Sequence, residues 1–328
     1  MRDAVNSRPN DEKTPTIAVF TALIARLSDQ LIGRESLIER MVISLLCGGH
    51  ILLEGAPGLA KTRAIKLFAD AIDTRFARVQ ATPDLLPSDL TGTTVYRQQS
   101  GQFEFMPGPL FNHVILVDEI NRAPPKVQSA LLEAMAERQI SVAGTTHRLA
   151  SPFLVAATQN PIEHEGTFPL PEAQLDRFLF FVELALPDAE EERRILDLML
   201  QEDSDVQPPM LALIDHTHIA DAAAEAAKTH LSDAVRDYVV RLVDATRNGN
   251  GYAQHIEHPA SPRATIGLAR AARAKAWLSG RDHVLPTDVA DLAPDVLAGR
   301  IGLNYQALAN GLSAREVVQE IVTATTIV

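Results

Sequence analysis

GAPGLAKT, residues 55–62, follows the apolar run HILLEG (50–55) and opens the helical stretch KTRAIKLFADAI (61–72). A buried strand, a glycine-rich turn and a helix start, in that order, place backbone N–H groups where they can cradle phosphate oxygens. The stretch fits the pattern G-x-x-x-x-G-K-[ST] at Gly55, Lys61 and Thr62, with Ala60 where the second glycine usually stands. The residue before the lysine must be small so that backbone and phosphate can approach. Alanine meets that need if its φ is negative, as expected at a helix start. Gly55 and Gly58 remain for the tighter parts of the loop. The candidate cofactor-binding residues are therefore Gly55, Ala56, Pro57, Gly58, Leu59, Ala60, Lys61 and Thr62. Lys61 would reach the β- and γ-phosphates, and Thr62 would ligate Mg²⁺.

Working outward, HVILVDEIN (113–121) reads as a second buried strand that ends in two carboxylates. Alone, Asp-Glu at a strand end is an ordinary solvated pair. Downstream of a phosphate loop it is expected to do chemistry: Asp118 joins Thr62 in the Mg²⁺ shell, and Glu119 orients or deprotonates the attacking water. FLVAATQNP (153–161) is a further buried strand with Asn160 at its end. Asn160 is a turn residue before Pro161 when taken singly. As the third member of this ordered set it would hold the water or sense the γ-phosphate.

Strands and helices alternate up to Pro187. RFARVQ (75–80) and FLFFVELAL (178–186) complete the strand candidates. TTVYRQQSGQFEFM (93–106) and ISVAGTTHRLA (140–150) read as hairpins. After Pro187 the pattern is helical: EEERRILDLMLQ, LSDAVRDYVVRLVDATR, PRATIGLARAARAKAWLSG and a segment after Ser313. The expected fold class is α/β, a three-layer core with a parallel sheet, followed by a smaller all-helical domain. The expected boundaries are a disordered tail over 1–15, the core over 16–187 and the helical domain over 188–328.

The 328 residues carry 30 basic and 42 acidic side chains, a net charge of -12, which disfavours sequence-independent nucleic-acid binding. Cys47 is the single cysteine, so no internal disulfide can form and a reducing cytosol fits. The first residues carry no apolar signal segment, and no run of about 18 apolar residues occurs, so a cytoplasmic chain without a transmembrane segment is expected. The histidines show no metal-site spacing. His216 and His218 read as loop residues, His255 and His258 as flanking a turn.

GAPGLAKT, TPDLLPSDLTG, GPLFNHVILVDEINRAPPKVQSALLEAMAE, ATQNPIEHEGTFPLPEAQLDRF and SPRAT together resemble the MoxR family of AAA+ ATPases, from about Leu31 to Arg263. The resemblance implies more than spacing does. LDRF is similar to the arginine-finger segment, making Arg177 a finger that reaches the γ-phosphate in a neighbouring subunit, with Arg122 and Arg193 as weaker rivals. SPRAT is similar to the sensor-2 segment, making Arg263 a nucleotide contact from the helical lid, with ATP between core and lid and a hinge at Pro187-Asp188. Gln80 would restrain Glu119. The hairpin at 93–106 matches the family's helix-2 insert and that at 140–150 its pre-sensor hairpin. Tyr96, Phe103 and Phe105 would either grip a client or merely pack the hairpin. The implied activity is Mg²⁺-dependent ATP hydrolysis in a self-assembled ring, a hexamer. It would serve chaperone-like remodelling of a client protein, possibly a metalloprotein, with a von Willebrand factor A-domain partner. The alternative is a nucleic-acid or metal-chelatase-type motor of the same clade.

Overall fold

The computed structural model describes residues 16–56, 58–160, 166–204, 214–249 and 251–326. The expected tail over 1–15 lies outside the described residues, as does Pro57. Two helices, α1 (Thr16–Gln30) and α2 (Glu35–Cys47), precede the first strand, separated by the break at LIGRE. Gly48, in the left-handed region at φ 59°, ends α2 as a C-cap glycine does.

The core follows as β1 (Ile51–Glu54), α3 (Lys61–Ala71), β2 (Phe76–Gln80), the short α4 (Pro87–Thr91), and the hairpin of β3 (Gly92–Arg97) and β4 (Gln102–Pro107). Then come β5 (Val114–Asp118), α5 (Pro125–Glu137), the hairpin of β6 (Gln139–Val142) and β7 (Thr145–Arg148), β8 (Leu154–Gln159), α6 (Glu172–Leu175) and β9 (Phe180–Glu183). Five strands form one sheet in the order β2-β5-β8-β1-β9, every neighbouring pair parallel.

Strand alternation explains why these runs are continuously apolar. Val114 and Leu116 of β5, Ile51 and Leu53 of β1, and Leu154 and Ala156 of β8 belong to one hydrophobic cluster. Ile115, Val117, Leu52, Val155 and Ala157 belong to another, which includes Val127, Leu131, Leu132 and Met135 of α5. A sheet covered on both faces needs apolar residues at every position, and its crevices open at the carboxyl ends of its strands.

The rest of the chain is mostly helical: α7 (Ala189–Ser204), α8 (His216–Ala226), α9 (Asp233–Asn248), α10 (Pro262–Leu278), α11 (Pro286–Leu297), α12 (Tyr305–Ala309) and α13 (Ala314–Ala324). A small antiparallel pair, β10 (Ile256–His258) with β11 (Gly302–Leu303), joins them. Ser313 and Glu316 form a reciprocal capping box at the start of α13. His216 opens α8 rather than lying in a loop, and its ring sits 4.7 Å from that of His113.

Helices α8, α9, α10, α11 and α13 share one hydrophobic cluster with α1, α2, α3 and a face of the sheet. The Arg40 side chain of α2, almost fully buried, donates to Asp295 and to Asp291 of α11, each at 2.8 Å. A buried guanidinium is tolerable only with such paired carboxylates. Among the described residues no helix is long and apolar enough to cross a membrane.

Candidate functional site

The loop after β1 owes its path to two glycines. A Cβ on Gly55 would lie 3.0 Å from both the Leu184 carbonyl oxygen and Leu59 Cδ1, so a side chain there would be cramped. Gly58 turns at φ 86°, a region that L side chains avoid.

Ala60 corrects the expectation drawn from its size. It is not in a negative-φ helical conformation but sits just before α3 at φ 57°, ψ 23°. The methyl group is tolerated because Ala60 is exposed, yet the left-handed backbone costs on the order of 1–2 kcal/mol. The path of the loop sets this angle.

Lys61, the first residue of α3, folds back over the loop. Its ammonium donates to the Gly55 carbonyl at 2.6 Å and the Gln159 carbonyl at 3.4 Å. Burial draws its pKa below the ordinary lysine value, opposed by the charges of Asp118, Glu119 and Glu54. A cavity of about 420 Å³ separates the loop and the first turn of α3 from the carboxyl ends of β2, β5 and β8.

The far wall carries the acids. Asp118 ends β5 and is buried. Its carboxylate accepts from Thr62 Oγ1 at 3.4 and 3.5 Å and from Thr158 Oγ1 at 3.3 Å. Arg78 Nε donates to Oδ2 of the same carboxylate at 2.7 Å. Glu119 follows at φ 56°, a strained position for a residue with a side chain, and its N–H donates to Thr158 Oγ1 at 3.0 Å. Its carboxylate accepts from Gln80 Nε2 at 3.1 Å and pairs with Arg122 Nε at 3.3 Å. Asn160, also buried, lines the same cavity.

A hydroxyl and a carboxylate this close are hard oxygen donors of the kind Mg²⁺ takes while keeping several waters. The cavity, the loop and the lysine suit a polyphosphate. The residues present therefore fit Mg²⁺ and ATP: Thr62 and Asp118 would hold the metal, and residues 55–62 the phosphates.

Neither Arg177 nor Arg263 lines this cavity. Arg177 lies in the turn after α6 and donates from Nη1 to the Leu132 carbonyl at 2.6 Å. Arg263 opens α10, where the Ser261 hydroxyl accepts from its N–H as an N-cap should. Its half-exposed guanidinium lies 3.7 Å from Asp176, the residue before Arg177. Asp176 also accepts from Ser261 Oγ at 2.9 Å and from Arg300 Nε at 3.1 Å.

The aromatics of the first hairpin divide. Tyr96 and Phe103 are cross-strand partners with rings 5.3 Å apart, and both are more than half exposed. Phe105 instead stacks on His147 of the second hairpin at 4.1 Å and meets Phe111 edge-on at 5.4 Å.

Arg78 and Thr158 escaped the reading of the sequence. The signal was available in strand alternation: each lies two residues before a residue already singled out, Gln80 and Asn160, and so points to the same face.

Residues 50–180 match the model of the ATPase family associated with various cellular activities (AAA), and residues 252–321 that of the AAA lid domain. The chain is 48% identical over 297 residues to Chaperone MoxR1 of Mycobacterium tuberculosis, spanning 89% of this chain and 78% of that protein. It is 36% identical to Protein MoxR of Paracoccus denitrificans over 88% and 89% of the two chains. The crystal structure of a candidate ATPase of Cytophaga hutchinsonii superposes with a TM-score of 0.88 at 42% identity, covering 95% of this chain and 96% of that one.

Proposed function

The chain belongs to the MoxR family of AAA+ ATPases, and on that premise we propose that it hydrolyses ATP with Mg²⁺ to drive chaperone-like work on a client protein. One observation carries this reading: Lys61, Thr62, Asp118, Glu119 and Asn160 converge on a single cavity from two neighbouring strand ends and the start of α3.

Each residue has work suited to its place. Lys61 leaves the Gly55 carbonyl for the phosphates, exchanging a neutral acceptor for a charged one. Thr62 and Asp118 would hold the metal, which when bound would neutralise charge on the phosphate oxygens. Glu119 takes the proton of the attacking water, once Gln80 and Arg122 release it. Asn160 positions that water from the end of β8.

Arg177 and Arg263 serve a different cradle. Arg263 pairs with Asp176, the residue before Arg177, and neither arginine lines the chain's own cavity. The arrangement suits donation to the nucleotide of an adjoining copy, which makes the working unit a ring, as in a hexamer. The exposed Tyr96–Phe103 pair supports a client-gripping tip, whereas Phe105 only anchors the hairpin. A von Willebrand factor A-domain partner is proposed from the family alone. The net charge of -12 disfavours the nucleic-acid motor.

The test is phosphate release and calorimetric ATP binding with Mg²⁺. Lys61→Ala is expected to lose binding, and Glu119→Gln to bind ATP but stall. Unchanged ATP affinity in Lys61→Ala would end the phosphate-loop reading. Stimulation of turnover by DNA, but not by an A-domain protein, would favour the motor.

A further inference from the structure

Among the described residues the Asp118 carboxylate has one short hydrogen bond, and its donor is neither Thr62 nor Thr158. Arg78 Nε lies 2.7 Å from Oδ2, while both threonine hydroxyls stand at 3.3 Å or beyond. Arg78 is two residues before Gln80 on β2, an edge strand of the sheet. Alternation turns both side chains toward the cavity, where Gln80 meets Glu119 and Arg78 meets Asp118. One strand thus holds both acids.

The burial of the pair is lopsided. The Asp118 side chain is 8% exposed and that of Arg78 is 54% exposed. An ion pair kept only for packing tends to hide both partners. Here a long side chain reaches from the rim down to a carboxylate at the bottom of the cavity, and its head can return to water without leaving a void.

We infer that Arg78 occupies the Asp118 carboxylate in competition with the divalent cation and thereby sets how much Mg²⁺ the site requires. This rests on the reading of Thr62 and Asp118 as the metal residues. A carboxylate oxygen that accepts from a guanidinium is less able to accept from a hydrated cation, and the fixed positive charge repels a second one. Arg78 therefore yields when a metal–nucleotide complex enters. It is a positioning residue, acting through Asp118.

The experiment measures binding of a fluorescent methylanthraniloyl-ADP to the full chain at increasing Mg²⁺. The diphosphate removes any contribution from a γ-phosphate contact. Arg78→Gln is expected to lower the half-saturating Mg²⁺ roughly three- to tenfold, the range expected of a partly exposed charge-assisted contact. Its nucleotide affinity in EDTA should equal that of the wild type. Arg78→Lys, which keeps the charge, should stay within about twofold of wild type, and thermal melting checks that both variants fold.

An unchanged or higher Mg²⁺ requirement in Arg78→Gln overturns the inference, as does weakened nucleotide binding in EDTA, which would make Arg78 a phosphate ligand. A wild-type protein whose nucleotide binding ignores Mg²⁺ would remove the metal site itself, and the inference with it, before any variant is compared.

Discussion

Gln80 and Glu119 face each other across the pairing of β2 with β5, the amide donating to the carboxylate at 3.1 Å. The amide occupies the carboxylate and holds it in place, so the contact restrains the group expected to activate water. Gln80→Ala is expected to raise ATP turnover in the absence of partner by roughly two- to fivefold, the modest size reflecting an exposed contact. Arg122 continues to hold Glu119 at 3.3 Å, which also limits the gain. Steady-state phosphate release measures it; turnover at or below the wild-type level would mean that Gln80 restrains nothing.

Arg177 does not line its own chain's cavity, although its neighbour Asp176 pairs with Arg263. Arg177→Ala is therefore expected to lose about 10³-fold or more in turnover, as loss of a finger does, while retaining nucleotide binding. Mixed with Lys61→Ala subunits, it should regain part of the activity, because a sound loop can meet a sound finger in the same shared site. Arg177 also donates to the Leu132 carbonyl, so thermal melting must accompany the assay. Two inactive variants that remain inactive after mixing would argue against action between copies.

Ala60→Gly should stabilise the fold. The left-handed backbone at φ 57° costs an alanine about 1–2 kcal/mol, and glycine gives back part of this through greater freedom in the unfolded chain, about 0.5–1 kcal/mol. The net expectation is a gain of about 0.5–1 kcal/mol, read from urea unfolding at constant m-value. A loss of stability would place Ala60 on the ordinary side of φ.

His50 gives stability a pH dependence. The residue is buried before β1; its Nδ1 accepts from the Val155 N–H at 3.0 Å and its Nε2 donates to the Met135 carbonyl at 3.3 Å. Burial lowers its pKa from 6.5 to about 4. Between these values the unfolded chain takes up a proton that the folded chain refuses. Stability is therefore full above about pH 6.5 and declines as the pH falls toward 4, by ~3 kcal/mol over the window. His50→Gln, which keeps a donor and an acceptor, should flatten this part of the profile. Urea midpoints at pH 6.5 and 4.5 decide, and an equal slope in both proteins would assign the acid loss to other groups.

The cradle and the acid pair were legible because strand, glycine turn and helix must come in that order for a phosphate loop. Local pattern gave their positions without knowledge of neighbours. Arg78 was not legible as a partner of Asp118, since adjacency of β2 to β5 is a property of strand order. α11 was missed for a different reason. Pro294 inside it removes one backbone hydrogen bond, ordinarily a helix breaker, but burial of Val289, Leu292, Ala293, Val296 and Leu297 holds the helix regardless. The angle of Ala60 was misjudged because residue size constrains φ only weakly when the surrounding chain dictates the turn. The merging of α1 and α2 with the later helices into one cluster was likewise invisible, because periodicity identifies an apolar face but not what it meets.

Asp176 has a mechanical consequence. It is covalently next to Arg177 and is gripped by Ser261 and Arg300, two residues of the C-terminal helical region. The Arg300 guanidinium, itself nearly hidden, also donates to the Leu179 carbonyl at 3.0 Å. A tilt of the helical layer is thus transmitted through a stiff polar joint to the backbone one residue from the proposed finger. If Arg177 serves an adjoining copy as proposed, a shift of one protomer's helices as its ligand changes would first disturb the next protomer's chemistry, so motion around the assembly would travel sideways as a relay rather than arise in each copy alone.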